Sequence, residues 1–181
     1  MKTNILLFLL FLGLVSCLNP EPRKPIQRKT SQIDKVSIEF NKQLNSIEEN
    51  LFKIYMEADS LNTYKSSSNG FWFTHNTKSK NTNFPKSGNI LEYNYEISNL
   101  DNSIVYNSDE VGNLKYVVDK QEIIKGLQFG LKLMTEGDVV TFLFPSHLAY
   151  GFTGDQNRIQ INQQLIYKVQ LLKINVKNEN I

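Results

Sequence analysis

Apolar and polar positions along this chain follow two rhythms, and the change of rhythm divides it into segments. From Ile33 onward apolar residues fall at 33, 36, 40, 44, 47, 51, 54, 58 and 61, in steps of three and four. That spacing predicts one helix from about Ser31 to Leu61, with Ser31 as its N-cap. A helix of about 30 residues is about 45 Å long. Between Leu44 and Leu61 the steps average about 3.5 residues, the spacing of a coiled-coil seam. A dimerisation arm or client-holding stalk fits this seam, and so does packing of the stripe on the chain's own domain. The pattern leaves both open. Tyr64 to Gly70, rich in Ser and Lys, ends the helix. The rhythm then shortens to two. Gly70 to His75 predicts a first strand, and Lys78 to Asn83 a polar loop. Between Asn89 and Ser98, Leu91, Tyr93, Tyr95 and Ile97 alternate with Glu92, Asn94 and Glu96, as in a half-buried strand. Leu100 to Ser103 reads as a turn, with short strands at Ile104–Tyr106 and Leu114–Val118.

The stretch from Lys120 to Gly151 organises the rest. Ile123, Ile124, Leu127, Leu131 and Met134 recur at helical spacing and predict a short helix. Gly126 and Gly130 lie within it, each costing about 1 kcal/mol relative to Ala. Something is therefore expected to pack close against that backbone. Thr135 to Asp138 is expected to break the helix, with Gly137 where a C′ residue belongs. Val139 to Phe144 is β-branched and aromatic, a strand by composition, and Pro145 ends it. The following loop presents Tyr150 before Gly151. Leu165 to Ile174 reads as a final strand, apolar on both faces. Strands dominate, and an antiparallel sheet packed on one short helix gives each element a covered face, an α+β fold.

The first residues change the picture. Lys2 precedes an apolar run from Ile5 to Val15. That run is shorter than the roughly 20 residues a spanning helix needs, and it has the size of a signal-peptide core. It ends in Leu14-Val15-Ser16-Cys17, similar to a bacterial lipobox, with the only Cys of the chain where a thiol is lipidated and becomes residue one. An ordinary signal peptide with a chance Cys is the plain alternative. Pro20, Pro22 and Pro25, among Arg23, Lys24, Arg28 and Lys29, keep the next segment extended as a tether. The expected segments are thus a signal peptide at 1–16, a lipidated tether at 17–30, the helix region at 31–66 and a folded domain at 71–176.

Charge and chemistry narrow the function. A net charge of +2, with no basic patch interleaved with aromatics, gives no support to nucleic acid as a partner. One Cys excludes an intramolecular disulfide and a Cys-based zinc cluster. The two histidines, His75 and His147, lack partner spacing for metal or nucleophile chemistry. Ser146 adjoins His147, but adjacent residues seldom face each other. No cofactor is expected.

Four ordered motifs carry a resemblance. They are Glu122-Ile-Ile-Lys-Gly126, Met134-x-x-Gly137, Pro145-Ser-x-x-Ala-Tyr-Gly151 and Leu165-Ile-Tyr-x-Val-x-Leu-Leu172. Phe84-Pro85-Lys86-x-Gly88, followed by Tyr93 and Tyr95, also fits. Over roughly 71–176 the chain resembles the FKBP-type peptidyl-prolyl isomerases, and it looks most like the gliding-motility-associated FKBP-type lipoproteins of Bacteroidetes. The resemblance implies an antiparallel sheet wrapped around one short helix, and rotation of X-Pro bonds in an apolar pocket. It implies catalytic roles for Tyr95 as a wall, for the Ile124 backbone N–H and for the Tyr150 hydroxyl toward ligand carbonyls. It implies a substrate-binding surface from Val105, Tyr106, Leu114, Ile123, Leu127, Ile159 and Tyr167. Unfolded, proline-containing envelope proteins become the expected clients, and a homodimer through the N-terminal helix fits the seam. A lipid anchor at Cys17 would hold the protein at the bacterial outer membrane, facing the periplasm. The sequence departs from the family in four places. Leu127 stands where Trp is common, Val105-Tyr106 replaces a Phe-Asp pair, Leu114 replaces Phe, and Gln160-Ile161 replaces a proline pair. These changes remove aromatic surface and an acidic group. They leave a second function open, a non-catalytic FKBP-like chaperone or assembly subunit.

Overall fold

The computed structural model describes residues 32–175. The Ser31 cap, the signal peptide, Cys17 and the tether lie outside the described residues. From Ile38 onward the chain forms one compact unit. In order, the elements are α1 (Gln32–Ala58), β1 (Lys65–Ser66), β2 (Trp72–Thr77), β3 (Ile90–Ser98), β4 (Ile104–Tyr106), α2 (Ser108–Val111), β5 (Leu114–Val117), α3 (Lys125–Leu131), β6 (Val139–Phe144), a 3₁₀ turn (Ser146–Leu148) and β7 (Leu165–Asn175). The seven strands form one sheet in the order β1-β2-β6-β7-β3-β4, with β5 also pairing β3. Every pairing is antiparallel.

β3 and β7 form the spine, paired from Ile90↔Asn175 to Ser98↔Ile166. The period-two pattern of β3 sends Leu91, Tyr93 and Ile97 into the core. β7 departs from the expectation of two apolar faces. Leu165, Tyr167, Val169 and Leu171 are buried, while Lys168 and Gln170 face solvent. Only Ile166 is buried on the opposite face, because α1 covers the sheet there.

α3 packs on the face of the sheet that carries Phe142 and Phe144, and its glycines explain its placement. A Cβ on Gly126 would come within 2.7 Å of the Phe144 ring, and one on Gly130 within 3.0 Å of the Phe142 ring. Those two rings stack at 5.3 Å and 10°, forming a flat aromatic floor under the helix backbone. The close approach expected from the two glycines is thus made by β6 side chains. The helix is shorter than its apolar spacing predicts. It ends at Leu131, followed by tight turns from Leu133 N–H to Gly130 C=O and from Met134 N–H to Leu131 C=O. Gly137, with φ +90°, belongs to the turn before β6 and donates to the Leu171 carbonyl. Ile123 and Ile124 precede the helix rather than sit inside it.

α1 also ends early, at Ala58 rather than Leu61. The Asp59 carboxylate accepts from the Asn62 amide at 3.0 Å and from the Tyr64 hydroxyl at 2.8 Å, turning the chain out of the helix. Two faces of α1 have different fates. Glu48 and Phe52 are buried, with Tyr55 and Met56 packed beside them, over Leu143 and Ile166 on the outer face of the sheet. Ile47, Leu51 and Ile54 are exposed. The helix therefore belongs to the domain through one stripe, and the coiled-coil seam read in the sequence is the other.

Candidate functional site

The loops on both sides of β6, together with β3 to β5, bring the expected site residues to one end of the core. Val105, Leu127, Ile159 and Tyr167 are buried in the main apolar cluster. Tyr95, Tyr106, Leu114, Ile123, Ile124 and Tyr150 pack against it, each partly buried. Residues scattered from 95 to 167 in sequence thus belong to one apolar cluster. Tyr95 and Tyr167 face each other at 5.2 Å between ring centroids, and the Phe144 ring lies 5.4 Å from Tyr167. Leu114 is opposite Tyr93 in the β3–β5 register.

Polar atoms in this apolar surface are phenols. Burial first, and then the neighbouring Tyr150 and Tyr106 side chains, push the Tyr95 hydroxyl up to about 12. Burial and then Tyr150 hold Tyr167 well above the ordinary tyrosine value. Both therefore stay protonated as hydrogen-bond donors at neutral pH. The Tyr167 hydroxyl is buried, and the neighbouring Tyr150 side chain is the polar group facing it.

Tyr150 owes its position to local geometry. Pro145 stops β6, and the 3₁₀ turn carries the chain to Ala149. Gly151, at φ +57°, then reverses it, with its N–H bonded to the Ser146 carbonyl at 2.8 Å. His147 is exposed on that turn, while Ser146 is buried with its N–H donating to Glu48 Oε2 at 2.9 Å. Ile124 occupies the N-cap of α3 with extended angles (φ −53°, ψ 140°). Its N–H precedes the helix ladder and is not consumed by it. A groove of about 590 Å³ opens over Ile123, Ile124 and Tyr150.

The long loop from Gly151 to Gln164 holds Ile159, and here the structure adds residues the sequence did not single out. Asp155 is the hub. Its Oδ1 accepts from the N–H of Asn157 at 2.9 Å and of Ile159 at 2.7 Å, and its Oδ2 from the Tyr106 hydroxyl at 2.6 Å. Gly154, at φ +62°, lets the loop close, since a Cβ there would collide with the Ile159 carbonyl oxygen. Arg158 lies 4.7 Å over the Tyr106 ring, donates to the Val105 carbonyl at 2.9 Å and grips Glu110 with two nitrogens at 2.8 and 2.6 Å. The Val105-Tyr106 pair has no carboxylate of its own, and the one that Tyr106 meets is supplied by the loop, at Asp155. Its only signal in the sequence was the Gly154-Asp155 turn dipeptide.

The family model for FKBP-type peptidyl-prolyl cis-trans isomerase matches residues 81–172, just over half of the 181-residue chain. Peptidyl-prolyl cis-trans isomerase FKBP9 of Homo sapiens is 28% identical over 90 residues, covering 49% of this chain and 16% of that protein. The probable FKBP-type isomerase FkpA of Neisseria meningitidis serogroup B is 31% identical over 90 residues, covering 50% of this chain and 33% of that one. The chain therefore spans a minor part of the length of these relatives. The crystal structure of FkpA from Escherichia coli aligns with a TM-score of 0.61 at 23% identity, over 78% of this chain and 65% of that one, a likeness of fold. With the motif-bearing segments folded into the antiparallel sheet and short helix described above, this chain belongs to the FKBP-type peptidyl-prolyl cis-trans isomerase family.

Proposed function

We propose that the chain rotates X-Pro peptide bonds, as a peptidyl-prolyl cis-trans isomerase acting on unfolded proteins of a bacterial envelope. One observation carries this reading: Tyr95, Tyr150, Tyr167 and the N-cap residue Ile124 belong to one apolar cluster, with Tyr95, Tyr150 and Ile124 only partly buried in it. The chemistry needs little more. Resonance sets a barrier of about 18–20 kcal/mol to rotation and places charge on the amide oxygen and nitrogen. An apolar wall disfavours that charge separation, so it favours the twisted amide over the planar one. A surface shaped to the twisted prolyl group binds the transition state more tightly than the ground state, and each 1.36 kcal/mol so gained is about tenfold in rate. The Ile124 N–H and the Tyr150 hydroxyl are the donors suited to hold the flanking carbonyls.

A protease-coupled assay on short X-Pro peptides tests the reading. Tyr150→Phe is expected to lower kcat/KM by about tenfold or less, the worth of one neutral hydrogen bond. Tyr150→Ala removes the wall as well and is expected to cost more, with the melting transition retained. The reverse order, or no effect of either change, would move the active surface elsewhere. An inactive wild type would leave the non-catalytic chaperone reading, in which the ring at 150 matters for client binding and the hydroxyl does not.

Anchoring, pairing and subtype belong to the same proposal. The lipobox-like Leu14-Val15-Ser16-Cys17 supports a lipid anchor, a periplasm-facing outer-membrane location and a place among the gliding-motility-associated lipoproteins. Mass spectrometry of the mature protein reads this directly: acylated Cys17 as residue one supports it, and a soluble form starting elsewhere ends it. Homodimerisation is supported by the exposed stripe of Ile47, Leu51 and Ile54, beside a groove of about 570 Å³ reaching Leu100. The stripe keeps the heptad spacing of a helix seam.

A further inference from the structure

The packed stripe of α1 does not stop where the sheet stops. Glu48 and Phe52 sit on the domain, and one and two turns toward the N-terminus Asn45 and Asn41 continue that side, with Leu44 and Phe40 at its edge, where it meets the exposed stripe of Ile47 and Leu51. These residues form one wall of the groove whose other wall is Ile123, Ile124, Tyr150 and Phe152. Glu48 fixes the two walls against each other. Its Oε2 takes the Ser146 N–H at the start of the turn that presents Tyr150, and the residue is only 2% exposed. Phe40 and Phe152 are 55% and 81% exposed, two large aromatic rings with little packing of their own. Large apolar side chains left in water beside a binding surface mark contact with a partner.

We infer that α1 and the Tyr150 loop together form a second subsite of the isomerase, which takes a large apolar residue two or three positions from the proline in an extended client segment. The occupant is chosen by continuity and by chemistry. Ile123, Ile124 and Tyr150 line both this groove and the proposed prolyl surface, so a chain leaving one enters the other. At about 590 Å³ the groove has room for more than one side chain, within the range of about 300–1,000 Å³ typical of ligand pockets. Phe40, Leu44 and Phe152 offer apolar contact, while the Asn41, Asn45 and Asn162 amides on the rim suit the backbone of an extended peptide. Among the described residues no carboxylate lines the groove, and Lys125 is the one Lys or Arg that does. A neutral, apolar segment fits this better than a charged one.

The inference rests on the proposed isomerase reading and is separable from it. The full chain and Phe40→Ser are compared on two substrates: a four-residue X-Pro peptide too short to reach α1, and a ten-residue peptide with Leu or Phe placed two or three positions from the proline. Phe40→Ser is expected to raise KM for the long peptide about tenfold and to leave the short one unchanged. Replacing the distal Leu or Phe of the long peptide by Ser in the wild type should reproduce the loss. Equal loss on both substrates would make Phe40 a structural support, and no loss on either would empty the groove of substrate; both overturn the subsite. A change of sedimentation mass without a change in KM would assign the groove to a second copy, and overturns it equally. If the wild type turns over neither peptide, the isomerase reading fails. Fluorescence anisotropy of the labelled long peptide then decides the subsite alone, through weaker binding by Phe40→Ser or the same binding.

Discussion

Replacing Phe52 by Ala is expected to cost about 3–5 kcal/mol of unfolding free energy. That is a large share of the roughly 5–15 kcal/mol that holds a domain together. Phe52 is fully buried, packs on Leu143 of β6 and Ile166 of β7, and lies 5.5 Å from the Trp72 ring. Leu143 and Ile166 are paired in register on the face of the sheet opposite α3. Without the helix, two large aliphatics and the indole would face water. Trp72 is the only tryptophan, so urea unfolding followed by its fluorescence reads the site directly. A loss below about 1 kcal/mol would make α1 an appendage. In that case a chain starting near Ser67 would keep full stability, as it would if the helix served self-association alone. The burial of Glu48 and Phe52 predicts the opposite: that shortened chain loses cooperativity, because it lacks the cover of its outer face.

The second large effect lies at Asp138. Its side chain is fully buried, accepting from the Thr135 N–H at 2.7 Å, the Ser79 N–H at 2.7 Å, the Thr135 hydroxyl at 3.1 Å and the Lys78 ammonium at 3.0 Å. It ties the loop after β2 to the turn before β6. Burial raises its pKa, but the two N–H groups, Lys78 and the Thr135 hydroxyl outweigh that and hold the carboxyl below its ordinary value of 3.8. A depressed folded pKa means that the unfolded chain takes up the proton first as pH falls. The stability Asp138 contributes is therefore fully present above the ordinary carboxylate value and is lost as pH drops through the folded one. Asp138→Ala strands the buried donors and is expected to cost about 3 kcal/mol or more. Asp138→Asn keeps the shape, so its stability is expected to fall less steeply below pH 3.8 than that of the wild type. His75 lies 3.9 Å away and is itself held below 6.5, mainly by burial. The stability it contributes begins to be lost as pH falls below 6.5, and that of Asp138 only below 3.8, so a melt series from pH 7 to pH 2 reads the two onsets apart. Parallel acid curves for the wild type and Asp138→Asn would show that the carboxylate is not the group being titrated.

Both sites show where reading the chain stops. The alternation of β3, the apolar run of β6 and the two glycines opposite Phe142 and Phe144 were legible, because each depends on neighbours within one element. The ordered motifs named Tyr150 and Ile124, and the structure brings them into the same cluster as Tyr95 and Tyr167. Asp155 was not, because it reaches Tyr106 across 49 positions, and nothing local separates a loop aspartate in a turn from one that clamps another strand. Glu48 was invisible for the same reason: its partner, the Ser146 N–H, is 98 positions away.

The sequence by itself determined which residues alternate, where glycine and proline interrupt, and hence an antiparallel α+β domain carrying family motifs and an amphipathic helix ahead of it. These follow from short-range sterics and from the periods of helix and strand. Only the tertiary structure decided which stripe of α1 is buried. The apolar spacing pointed to one stripe, through Ile47, Leu51 and Ile54, whereas the stripe buried on the sheet runs through Glu48 and Phe52. The choice depends on which stripe meets Leu143 and Ile166, a long-range complementarity that no local pattern encodes. The same decision sets Glu48 against Ser146, and with it the wall that Phe40 and Leu44 raise beside Tyr150.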